Sequence, residues 1–303
     1  MKNDNNNHSI TKYRIAANVL LIMTTILWGT SFIITKNLTQ TLPIFIYLGI
    51  RFSIAILGFF PYFIRIKKMN KKILLLGSLT GLLYYFGILF QTWGIQTTTA
   101  GKTAFITGLS TIMVPFITWI GFKKALNKKI WIAAIISVAG MAFLFLEGTY
   151  GIIIGDILVL FCAILYAFFV VLNDKYVRKV DIYLYSMVQL LIICLLSFGS
   201  SFLIQETFDF SSINLFFWII MIYMGIAVTT LTFLFQNWSQ QYQGPSQTAI
   251  IFTLEPVFAV IFASFILGSE TMTFLGWLGC SLIFIAILIA VLKTNNNKLH
   301  SDS

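Results

Sequence analysis

The chain has 303 residues, 58% of them apolar and 10% charged, and carries a net charge of +10. No water-soluble fold of this length can bury such an apolar surplus, so the composition excludes a soluble globular domain and a disordered chain alike. Cys162, Cys194 and Cys280 all fall in apolar stretches without metal-type spacing, and the histidines, His8 and His300, lie in polar tails; disulfides, metal ions and cofactors are therefore not expected.

In chain order, residues 1–16 form a polar, Asn-rich tail, expected to be disordered over 1–9. Ten apolar stretches follow, near 17–37, 43–64, 73–95, 100–122, 130–147, 154–173, 184–204, 215–238, 246–267 and 273–292. A second polar tail covers 293–303. A bilayer core takes about 20 apolar helical residues to cross, and backbone groups in lipid must be satisfied within the segment. The expected fold is an all-α integral membrane protein of ten transmembrane helices. The first stretch is too long for a typical signal-peptide core and no small-x-small site follows it, so it is read as a span.

The basic residues alternate by side. Lys2, Lys12 and Arg14 precede the first stretch; Arg65, Lys67, Lys68, Lys71 and Lys72 lie between the second and third; Lys123, Lys124, Lys128 and Lys129 follow the fourth. Lys175, Arg178 and Lys179 follow the sixth, and Lys293 and Lys298 the tenth. The opposite connections hold only Lys36 and Lys102, expected to snorkel to the outer surface. This asymmetry predicts a multi-pass protein of a bacterial inner or plasma membrane with both termini cytoplasmic. Because the charge is explained by topology and no basic–aromatic interleaving accompanies it, nucleic acid is not an expected partner; membrane lipids and a small-molecule substrate are, and a homodimer is left open.

The chain also repeats itself. Gln91-Thr-Trp93-Gly-Ile-Gln96 aligns with Gln236-Asn-Trp238-Ser-Gln-Gln241, and Thr103 through Leu109 with Thr248 through Leu254 at the same offset. Trp28-Gly29 falls opposite Tyr166-Ala167, and Arg51 opposite Gln189, at a second offset. The halves, 17–147 and 148–292, meet within 145–155 and hold five stretches each. An odd number of crossings inverts the second copy relative to the first. Inverted repeats are the recurrent plan of secondary transporters, with the site near the midplane between the copies; duplication that only builds a stable bundle is the plainer reading.

Trp28-Gly29-Thr-Ser31-Phe, Pro43, Arg51-Phe52, Gly155-Asp156 and Thr248-Ala249 through Leu254-Glu255-Pro256-Val257-Phe258-Ala259 together resemble the EamA family of the drug/metabolite transporter superfamily, over about residues 17–292. The resemblance implies ten helices in two inverted five-helix repeats. It also implies a cavity lined by the first four helices of each half, with the fifth and tenth peripheral, and a small metabolite as cargo. The chain departs from the family's pattern after the fourth stretch, where Lys123-Lys124-Ala-Leu-Asn-Lys128-Lys129 replaces a common glutamate; Gly268-Ser-Glu270 keeps it in the second half.

Two charges lie deep in apolar stretches, where ionisable groups face protein or water rather than lipid. Arg51 is about 12 Å into the second stretch and Glu255 about 14 Å into the ninth, at 1.5 Å per residue. Their repeat partners are Gln189 and Ser110, so charge breaks the internal symmetry. Arg51 suits a carboxylate or phosphate, or else braces neighbouring helices. Glu255 suits an ammonium or a coupling proton, or else fixes helix packing. The candidate substrate-binding residues are Trp28, Arg51, Tyr84, Gln91, Ser110, Gln189, Gln236 and Glu255, with Trp93 and Trp238 read equally as an interfacial belt. Pro115 and Pro256 are candidate hinges. Asp156 is read as a favourable charge at a helix N-terminus.

No Gly-x-x-x-x-Gly-Lys-Ser/Thr loop and no Gly-x-Ser-x-Gly elbow is present, and no histidine lies in any stretch. An ATPase or intramembrane hydrolase is therefore not expected. The expected function is a secondary transporter for a small metabolite, whether amino acid-like, amine or drug-like, working by alternating access with protons as a candidate coupling ion. A membrane sensor or scaffold that binds a solute without moving it is the alternative.

Overall fold

The computed structural model describes residues 2–123, 128–146, 153–267 and 274–291. Lys124, the 147–152 part of the expected boundary between halves, Gly268–Glu270, Lys293, Lys298 and the tail beyond lie outside the described residues. Within them every regular element is helical: α1 (Lys2–Leu38), α2 (Ile44–Leu57), α3 (Lys71–Thr97), α4 (Ala100–Gly108), α5 (Ser110–Phe122), α6 (Lys128–Leu146), α7 (Ile154–Val177), α8 (Ile182–Leu203), α9 (Leu215–Ile222), α10 (Thr232–Ser239), α11 (Pro245–Phe252), α12 (Leu254–Leu267) and α13 (Phe274–Val291), with 3-10 turns at Phe60–Lys68 and Phe210–Ser212 and a π-helical stretch at Tyr223–Leu231.

Several helices run on across breaks, so elements outnumber crossings. Among the described residues seven helical stretches are long and apolar enough to cross a membrane, or eight if α2 and the following 3-10 turn count as one. The sequence reading expects ten; α6 and α13, over the fifth and tenth stretches, are not among the seven. The second stretch, expected to run unbroken over 43–64, instead ends at Leu57 and turns by 77° into Phe60–Lys68. Pro61 marks the turn: it sits at the start of the 3-10 segment, where its missing N–H costs least. The Asn-rich tail expected to be disordered is helical from Lys2 onward. No proline interrupts residues 2–38, so α1 extends without a break beyond its apolar part.

Small residues let the helices approach closely, as membrane packing favours. A Cβ on Gly29 of α1 would lie 2.6 Å from Phe258 Cβ and 3.0 Å from the Ala259 nitrogen on α12. One on Gly155 of α7 would lie 2.5 Å from the Gly94 carbonyl of α3, and one on Gly140 of α6 2.7 Å from the Gly279 carbonyl of α13. These contacts place α6 and α13 against each other and bring α1, α3, α7 and α12 together at the centre.

The fourth stretch of each half is broken at matching places. α4 gives way to α5 at Leu109, and α11 to α12 at Thr253. Pro256 explains the second break, since it has no N–H for the Phe252 carbonyl. Pro115 lies inside α5, past the first break. The two broken stretches meet where a Cβ on Gly108 would sit 3.6 Å from Pro256 Cγ.

The N-terminus of α2 has no side-chain cap of its own. The Glu206 carboxylate, from the connection after α8, supplies it by accepting from the Phe45 and Ile46 amides at 3.3 and 2.9 Å. An acidic group at a helix N-terminus meets both the free amides and the helix dipole.

Candidate functional site

A cavity opens at the centre of the bundle. Trp28 and Ser31 of α1, Arg51 of α2, Tyr84 and Gln91 of α3, and Thr107, Ser110 and Thr111 of the α4–α5 stretch line it from the first half; Tyr166 and Phe169 of α7, Gln236 of α10, and Phe252 and Glu255 of the α11–α12 stretch line it from the second. Its free volume is about 40 Å³.

The sequence candidates Trp28, Arg51, Tyr84, Gln91, Ser110, Gln236 and Glu255 thus converge on one space. Gln189 does not join them. It is fully buried on α8, donating Nε2 to Thr80 Oγ1 and Asn173 Oδ1 and accepting from Asn237 Nδ2, at 2.9, 3.0 and 3.0 Å. Asn173 also donates to Asn237 and Gln240, and Tyr185 donates to Asn173. This network ties α3, α7, α8 and α10 together; its amides are bonded to one another, so Gln189 acts there as a brace.

The cavity is lined by one guanidinium and one carboxyl group from opposite halves, and they are not paired with each other. Arg51 is 3% exposed. Its Nε donates to Thr229 Oγ1 at 2.9 Å and its Nη1 to the Tyr47 hydroxyl at 3.2 Å, while Tyr47 and Thr35 share a hydrogen bond of 2.8 Å. Thr229 comes from the π-helical stretch, where Thr229 and Thr230 hydroxyls donate to the carbonyls five residues earlier. Thr230 also donates to the Ala55 carbonyl of α2, and a Cβ on Gly225 would meet the Arg51 carbonyl at 3.1 Å. The widened turn is therefore moulded against α2 and aims a hydroxyl at the guanidinium; π segments of this kind recur at functional sites. These bonds leave Nη2 uncommitted among the described residues, and a guanidinium presents its donors in a fork that matches a carboxylate.

Glu255 is 7% exposed, two residues past the Thr253 break. Among the described residues no cation lies within ion-pairing distance of its carboxyl and no group hydrogen-bonds it. A buried carboxyl without partners is costly, which sets it apart from another buried carboxylate of the bundle, Asp156. Around these polar groups stand rings: Trp28 packs on Phe252 at 5.0 Å and Tyr84 stacks on Tyr166 at 5.0 Å. Such a chamber suits a solute with an apolar or aromatic body and polar ends.

That other carboxylate corrects an expectation. Lys102 does not snorkel; it is 4% exposed, with Nζ 2.7 Å from Asp156 Oδ2. Asp156 also accepts from Thr98 Oγ1 at 2.6 Å and the Ile153 amide at 3.1 Å. The expected N-terminal role of Asp156 holds, but its carboxylate also draws Lys102 inward and joins α4 to α7. Lys36 donates to the Thr98 carbonyl at 2.8 Å, placing both lysines at one end of the bundle. Trp93 is 45% exposed and Trp238 packs on Tyr13 and Tyr242; neither lines the cavity. Among the described residues no group of three or more His, Cys, Asp or Glu is placed to hold a metal ion.

Phe169 and Phe252 escaped the sequence reading. Both are apolar residues in apolar stretches, whereas Thr229 is one of several in-span hydroxyls that the sequence offers as unranked cavity liners. Alignment of the halves carried a signal for Phe252, because it stands opposite Thr107.

Comparison with known proteins places this geometry in context. The profile of the EamA-like transporter family matches residues 15–146 and again 153–292. An uncharacterized transporter of Archaeoglobus fulgidus is 30% identical over 280 residues, covering 92% of this chain and 87% of that protein. The uncharacterized transporter YetK of Bacillus subtilis is 24% identical, covering 94% and 89%. A solved crystal structure superposes with a TM-score of 0.75 at 15% identity, covering 91% of this chain and 98% of that one; at that identity the likeness speaks for the fold alone.

Proposed function

The chain belongs to the EamA-like transporter family, is a multi-pass membrane protein, and from that premise we propose that it is a secondary transporter carrying a small organic solute through the central cavity by alternating access. The observation that carries this reading is the pair Arg51 and Glu255. They are buried, contributed by opposite halves, open on one chamber, and paired with no charged group among the described residues. Buried charges in a bundle are retained where they are paired or functional. A solute with an ammonium and a carboxylate or other anionic end meets both.

In this reading the ten stretches are ten crossings, the halves 17–147 and 148–292 are inverted five-helix repeats, and both termini lie in the cytoplasm of a bacterial cell. The matching breaks at Leu109 and Thr253, and the seat of Pro256 against Gly108, support the α4–α5 and α11–α12 stretches as the moving walls, with Pro115 and Pro256 as hinges. Rocking of one half on the other would widen a chamber of about 40 Å³ toward each side in turn. Glu255 is the candidate carrier of a coupling proton.

The test is a screen of labelled amino acids, amines and amphipathic drugs in proteoliposomes with and without an imposed pH gradient. Saturable flux that falls at least tenfold in Arg51→Gln and Glu255→Gln supports the proposal. Saturable binding without flux for every solute would convert the reading to a sensor or scaffold.

A further inference from the structure

Gln91 and Gln236 hold equivalent positions in the two halves and both line the central cavity. Their bonding differs. Gln91 donates Nε2 to Thr107 Oγ1 at 3.0 Å. Gln236 is 2% exposed, and its Nε2 is shielded from solvent with no hydrogen-bond partner among the described residues.

The repeat explains the difference. The residue opposite Thr107 in the second half is Phe252. Its ring packs on Trp28 at 5.0 Å and has nothing to offer an amide. The next hydroxyl, Thr253, donates to the Ile250 carbonyl at 2.6 Å and accepts nothing from the Gln236 amide. The second half therefore has no counterpart of the Gln91–Thr107 bond.

Folded proteins rarely keep a buried amide donor unbonded, because its lost hydration is not replaced. Leucine or methionine at 236 would serve packing better. Glu255, three residues beyond Phe252, is another polar group of the same wall without a partner among the described residues.

From this asymmetry we infer that Gln236 is a specificity-determining residue, its amide donating to a carbonyl or carboxylate oxygen of the solute, whereas Gln91 braces the opposite wall through Thr107. The inference rests on the proposed reading of the cavity as the solute site. It assigns the two repeat-related glutamines different work: one reads the cargo and the other holds a span in place.

The experiment uses the full chain in lipid nanodiscs and compares wild type, Gln236→Met, Gln236→Leu and Gln91→Met. The first readout is the thermal midpoint without solute. Gln236→Met removes an unsatisfied group and raises the midpoint; Gln91→Met breaks a made bond and lowers it. The second readout is equilibrium binding of L-phenylalanine against phenethylamine, which share ring and amine but differ in the carboxylate. Wild type binds phenylalanine at least tenfold tighter, and Gln236→Met cuts that preference at least threefold, the remainder belonging to Arg51. A midpoint lowered by both Gln236 variants, or failure of both to fold, makes the amide structural and overturns the inference. So does wild type binding that fails to favour phenylalanine, or a preference left unchanged in Gln236→Met. Binding that behaves as expected without any flux would sink the transport reading and leave this assignment standing.

Discussion

Lys102 Nζ lies 2.7 Å from Asp156 Oδ2, and both side chains are buried. The pair joins the start of α4 to the start of α7, one from each half of the chain, close to the Gly94–Gly155 approach of α3 and α7. Removing one member leaves the other charge buried. Lys102→Ala is expected to destabilise the fold by about 3 kcal/mol, the usual cost of breaking a buried pair. The double variant Lys102→Met with Asp156→Leu is expected to recover most of it. Thermal midpoints in one detergent check both; a midpoint unchanged in Lys102→Ala would mean the contact carries little.

Arg51 reaches Thr229 through Nε and Tyr47 through Nη1. Lysine keeps the charge but has neither the fork nor the Nε donor. Arg51→Lys is therefore expected to lower initial uptake about tenfold, equivalent to about 1.4 kcal/mol of lost stabilisation. Thr229→Val, which removes only the supporting hydroxyl, is expected to cost less. Full uptake in Arg51→Lys would mean that charge alone suffices at this position.

Protons and solute ammonium groups compete for the same Glu255 carboxylate. Protonation removes the negative charge, so affinity for an ammonium-bearing solute is expected to fall as pH is lowered. Glu255→Gln fixes the neutral form and is expected to flatten that dependence while the protein stays folded, since no described partner is lost. Binding measured from pH 5 to 9 in both proteins decides it; a slope that persists in Glu255→Gln assigns the proton to another group.

Gly29 is packed where a Cβ would come within 2.6 Å of Phe258 Cβ and 3.0 Å of the Ala259 backbone. Backbone atoms on α12 cannot yield as the end of a flexible side chain can. Gly29→Ala is expected to cost about 1–3 kcal/mol, as overpacking does, and to impair transport because α1 and α12 both line the cavity. The thermal midpoint and uptake rate measured together check this; wild-type values for both would place α1 farther from α12 than the structure has it.

Much of the architecture was readable in the residues because lipid imposes a single rule on the backbone, and apolar run length reports obedience to it. The depth of Arg51 and Glu255 in their stretches led to the cavity for the same reason: charge in an apolar run stands out. Gln189 misled because depth and repeat position say nothing about which way a side chain points, and the partners that hold it away from the cavity, Thr80, Asn173 and Asn237, lie on other helices. Lys102 misled in a similar way, since snorkelling is the default only when no carboxylate waits inside, and Asp156 is 54 residues on. The π-helical stretch at Tyr223–Leu231 leaves no mark in composition; it is set by Gly225 and Thr230 fitting against α2. The aromatic walls were hidden because Phe169 and Phe252 look like every other apolar residue of their stretches.

The most direct test of the central claim is solute-protected labelling of a cysteine placed at Ser110 in the cavity wall, after Cys162, Cys194 and Cys280 are replaced. A membrane-impermeant thiol reagent is applied from one side of the membrane and then the other, with and without a solute identified in the flux screen. Alternating access to a shared central site predicts labelling of Ser110→Cys from both sides, slowed by the solute in each case. Labelling from one side only, or labelling from both that the solute leaves unchanged, would contradict it.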